Sequence, residues 1–92
     1  MSEAARDFQA EADALLGRLA DGLNPQDAAL ALAVLVSRGV TRLHGLSRAE
    51  ASAHKDQPEW PLWAQLQNAS RSLVLQASTC RDLAAKLAGR RG

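Results

Sequence analysis

The nine residues Ala28-Ala29-Leu30-Ala31-Leu32-Ala33-Val34-Leu35-Val36 contain no polar side chain, and no other part of the chain constrains the fold as much. Asn24-Pro25 stands directly before Gln26-Asp27 and the run. An asparagine N-cap followed by proline at the first helical position reads as a helix start. A helix that is apolar all round has to be covered all round. The run is too short to span a bilayer, which takes about 20 apolar residues. It therefore reads as a core helix, in a chain with few other elements to surround it. The expectation is a small helical domain whose core a second copy of the chain completes.

Composition supports the class. Of 92 residues, 19 are Ala and 15 are Leu, against 4 Val, 2 Trp, 1 Phe and no Ile or Tyr. Alanine and leucine are the strongest helix formers, and the β-branched and aromatic residues that favour strands are scarce. The fold class is all-α, in a single domain over residues 1–92.

Three helices are expected, at about 2–23, 25–46 and 61–88. In the first, Phe8, Ala12, Leu15, Leu19 and Leu23 recur in steps of three and four, and Gly22 and Asn24-Pro25 end it. In the second, Asp27 can reach back toward the cap. Its stripe of Ala28, Leu32, Leu35, Gly39, Leu43 and Leu46 continues past the apolar run, with a bend or a close helix contact at Gly39. Ser47-Arg48-Ala49-Glu50 fits a capping box for a new turn, or continues the same helix. The polar, small residues 51–57 read as the connection. Pro61 opens the last helix, where Trp63, Leu66, Ser70, Leu73, Ala77, Cys80, Ala84 and Leu87 repeat over three heptads. One row of that seam is small and the other large, a pattern suited to close antiparallel packing. Gly89 is a natural C′ residue, which leaves 89–92 as a frayed tail. The residues expected in the core or dimer contact are Leu30, Leu32, Leu35, Leu66, Leu73, Ala77, Cys80 and Leu87.

Chemistry is sparsely represented. The single cysteine, Cys80, rules out an intrachain disulfide framework and suits a reducing, cytoplasmic setting. The start Met1-Ser2-Glu3-Ala4-Ala5 has neither a basic n-region nor an apolar h-region, so no signal peptide is expected. His44 and His54 stand ten residues apart, a spacing that matches no metal-ligand motif. There is no phosphate-binding glycine loop, no G-x-S-x-G and no H-E-x-x-H. Neither an enzyme nor a cofactor or metal protein is expected.

Binding is the better reading. Net charge is +1, yet residues 1–30 carry six acids against Arg6 and Arg18, and residues 38–92 carry nine bases against four acids. Trp60 and Trp63 bracket Pro61, and tryptophan is enriched in binding hot spots. Arg38, Arg42 and Arg48 can share one face of the second helix, with no acid between 28 and 49. The expected function is a small interaction module (an adaptor, chaperone, antiactivator or antitoxin) that homodimerises and presents helix faces to a partner protein, away from membranes. The alternative is a nucleic-acid-binding or transcription-regulating protein that uses the Arg38, Arg42 and Arg48 face. That face and the tail Arg90-Arg91 are the features that could hold a phosphate backbone, and in a chain of near-zero net charge without interleaved aromatics no measurable duplex binding is expected at physiological salt.

Overall fold

The computed structural model describes residues 6–90. In chain order, α1 spans Phe8–Ala20, α2 Pro25–Ala53 and α3 Trp60–Gly89. No strand occurs among the described residues, so the chain is all-α.

Side-chain caps set the first two helix starts. Asp7 accepts a hydrogen bond from the Ala10 amide at 3.1 Å, and Asn24 accepts one from the Asp27 amide at 2.9 Å. Asn24 Nδ2 also donates to the Asp27 carboxylate at 3.2 Å. Asp27 thus returns to the cap as its position suggested, through the Asn24 side-chain amide. Between the helices, Gly22 takes φ +88°, the left-handed region that only glycine enters freely.

α2 does not stop at Leu46. It runs through Ser47 to Ala53 as one helix of 29 residues, and Gly39 neither breaks it nor meets another helix, since a Cβ there would have nothing within 4 Å. The Ser47-x-x-Glu50 pattern caps nothing. Ser47 Oγ donates instead to the His44 carbonyl at 3.0 Å within the continuing helix. His54 closes the end, its amide bonding the Glu50 carbonyl and its Nε2 lying 3.0 Å from the Glu50 carboxylate.

α2 and α3 form a long antiparallel hairpin, and α1 rests on α2 alone. The three helices lie side by side in one layer, with extents of 55 × 33 × 13 Å. The Cα radius of gyration is 16.6 Å, where a compact chain of this length would have about 12 Å. The hairpin seam is built from small residues. Ser37, Ser47 and Ala51 of α2 and Ser70, Ala77 and Ala84 of α3 are the buried side chains. Ser47 and Ser70 are wholly inaccessible, and their hydroxyls lie 3.4 Å apart. Both are satisfied, since Ser47 reaches the His44 carbonyl and Ser70 the Gln67 carbonyl.

Several sequence expectations change as a result. α1 is shorter than 2–23: Asp21, Gly22 and Leu23 form the turn, and residues 2–5 lie outside the described part. The run Ala28–Val36 is not covered all round. Its residues through Val34 are half-buried, while Leu35 and Val36 are exposed, because only one neighbour flanks the helix on each side. Leu30, Leu32, Leu66 and Trp63 are half-buried, not enclosed. The heptad seam of α3 divides. Its small row, Ser70, Ala77 and Ala84, packs against α2, while Leu73, Cys80 and Leu87 of the large row are exposed. The cause is steric, since the close approach of two small rows leaves no depth for leucine between them. At the C-terminus, Gly89 is the last helical residue and Arg90 a turn residue; Arg91 and Gly92 lie outside the described part.

Candidate interaction surfaces

A one-layer hairpin has two broad sides, and helical periodicity assigns the residues to them. At about 100° per residue, Arg38, Thr41, Gly45, Arg48 and Ser52 of α2 stand to one side of its seam row. Gln67, Arg71 and Ser78 of α3 stand to the corresponding side of theirs. Two clefts lined by both helices join these sets. One, of about 430 Å³, is lined by Ser37, Arg38, Thr41, Arg42 and Arg81. The other, of about 390 Å³, is lined by His44, Arg48, Gln67 and Arg71. Arg71 and Arg81 were not singled out in the sequence, because their register opposite Arg48 and Arg38 exists only once the hairpin closes.

The floor of the second cleft is ordered by hydrogen bonds. His44 Nδ1 lies 3.1 Å from the Gln67 carbonyl and 3.3 Å from Ser70 Oγ. A carbonyl only accepts, so Nδ1 carries the proton and in the neutral ring Nε2 is the acceptor. Among the described residues none of the five arginines on this side has an ion-pair partner; pairs that do form include Arg6–Glu11 at 2.8 Å and, with the imidazole protonated, His54–Glu50. The first helix touches only α2, where Leu15, Arg18 and Leu19 line a hollow with Leu35.

The opposite side is apolar. On α3, Leu62, Ala69, Leu73, Cys80 and Leu87 recur at four- and seven-residue steps; on α2, Leu32, Val36, Gly39, Leu43 and Leu46 do so at three- and four-residue steps. Leu62 is 68 % exposed, Leu87 53 %, Leu46 54 % and Val36 51 %. Glu59, Leu62, Trp63 and Leu66 line a largely apolar hollow of about 370 Å³ at the start of α3. Trp63 thus joins this side, while Trp60, seven residues before Gln67, falls on the arginine side. α1 adds its own uncovered stripe of Phe8, Leu15 and Leu19.

Among the described residues no three His, Cys, Asp or Glu side chains come together as a metal site, and Cys80 has no hydrogen-bonded histidine. No protein-family model, curated protein or solved structure matches the chain.

Proposed function

We propose that the chain is a protein–protein interaction module that acts as a homodimer, of the adaptor, chaperone, antiactivator or antitoxin kind, and not an enzyme. The observation that carries the reading is the uncovered leucine row on a single layer of helices. Stable domains bury their apolar faces between two layers, and this chain supplies one. Its accessible surface is 7027 Å², against about 5,200 Å² for a compact monomer of this mass. A standard interface buries about 800 Å² per partner, which lies within that excess. A second copy laid on the leucine side makes a four-helix core from two hairpins, and Gly39 lets its backbone approach closely.

α2 is long enough, and with a mean hydropathy of 1.2 over its best 18 residues apolar enough, to cross a membrane by those measures alone. Every 18-residue stretch of it includes both Arg38 and Arg42, however. An arginine at mid-span costs at least about 2.5 kcal/mol, which favours the pairing of two chains in water over insertion. The lone cysteine suits a cytoplasmic setting.

Sedimentation equilibrium tests the proposal. The expected mass is near twice the 9.8 kDa of the chain. Leu73→Glu combined with Leu87→Glu should give a monomer of unchanged helix content, since both side chains are exposed within one chain. A wild-type monomer at all concentrations down to low micromolar would refute the dimer.

A further inference from the structure

We propose that the arginine side of the hairpin is a docking track for the phosphate backbone of a nucleic acid. Three arginines on α2 were legible in the sequence. Closure of the hairpin sets Arg81 beside Arg38 and Arg42, and Arg71 beside Arg48, with no ion pair to any of them among the described residues. By helical position the acids on this side are Asp82, next to Arg81, and Asp27, about 16 Å before Arg38 along α2.

The chemistry of the track fits phosphate. Each guanidinium offers five N–H donors in a planar fork. In the second cleft Arg48, Arg71 and the Gln67 amide line the wall with N–H donors for anionic oxygens. The two clefts are centred six to seven residues apart on α2, about 10 Å at 1.5 Å per residue. That is about three base-pair rises along a duplex axis at 3.4 Å each. Protein interfaces have an apolar centre within a polar rim; between the arginines of this side stand Thr41, Gly45 and Ser78, with the half-buried Val74 among them and the exposed Leu75 at the outer edge, so an acidic protein is the competing occupant that the test separates. Trp60 lies at one end of the track, where it offers a ring for stacking. The proposed recognition is by backbone charge. The track lies opposite the leucine row and does not depend on the dimer.

Fluorescence anisotropy with a labelled duplex DNA of arbitrary sequence tests the track. At about 0.15 M salt the dissociation constant should fall within about 10⁻⁴ to 10⁻⁶ M, and log K against log[salt] should slope at about −0.9 per phosphate neutralised. Arg71→Glu and Arg81→Glu should each weaken binding at least tenfold with an unchanged helical signal. Arg18→Glu, the same charge change on α1, should weaken it less than threefold. Arg71→Gln repeats the test without adding a charge. Three outcomes overturn the proposal: no binding at about 0.05 M salt, an equal loss with Arg18→Glu, or displacement of the duplex by a polyglutamate peptide at equal charge concentration. The last would assign the track to an acidic protein.

Discussion

Glu11 lies in the first turn of α1, where its carboxylate meets both the helix dipole and the Arg6 guanidinium. Two hydrogen bonds of 2.8 Å from Arg6 hold the Glu11 carboxyl below its ordinary value, while partial desolvation pulls the other way. Arg6 also lies 4.8 Å from the Phe8 ring centroid, so one guanidinium closes both the acid and the aromatic at this helix start. The sign of the linkage follows. A depressed carboxyl contributes stability that is present above its unfolded pKa and is lost as pH falls through the folded one. The pair is fully exposed, so the effect is a local one on α1. Carboxyl NMR titration should find Glu11 below an ordinary glutamate in the native chain, and Arg6→Ala should return it upward. An unchanged midpoint would mean that the pair does not persist in solution.

At the scale of elements, the seam between α2 and α3 is what turns two helices into a hairpin, and it is made of serine and alanine. Small side chains bring the backbones close, and the shared Ser47–Ser70 contact sets the register at mid-length. A side chain that adds volume there has nowhere to go without parting the helices. Ala77→Leu should therefore destabilise the fold by about 1–3 kcal/mol through overpacking, read from the urea midpoint. The same change at Ala69, on the exposed side of α3, should cost little within one chain. The helices themselves were readable from the sequence, since Asn24-Pro25, Pro61 and the heptads of α3 are local signals. The extent of α2 was not. Ser47-x-x-Glu50 satisfies a capping pattern, and only the burial of Ser47 against Ser70 reveals that the helix continues. The heptads likewise gave the right face of α3 but not its division, because which row meets α2 depends on the size of the side chains opposite. Arg38, Arg42 and Arg48 could be picked out from spacing along one helix. Arg71 and Arg81 belong with them only through tertiary register.

At the scale of the whole molecule, the slab is polar and basic on one side and apolar on the other, so its two sides meet different environments. Full burial of a leucine or valine is worth about 1.5–3 kcal/mol, and Val36, Leu46, Leu62, Leu73 and Leu87 all stand uncovered. Cys80 is the natural reporter for that side, because it sits between Leu73 and Leu87 in the exposed row. In a single chain its thiol is open to solvent, and in the proposed dimer it lies within the contact. Its reactivity toward a thiol reagent should therefore depend on protein concentration, slow where the dimer is populated and faster on dilution. The doubly substituted Leu73→Glu and Leu87→Glu chain should react at the fast rate throughout, without denaturant. A core cysteine would react slowly at every concentration and quickly only on unfolding, and a cysteine on a permanently free face would react quickly at every concentration. Only covering by a second copy makes the rate follow dilution while the helical signal stays constant.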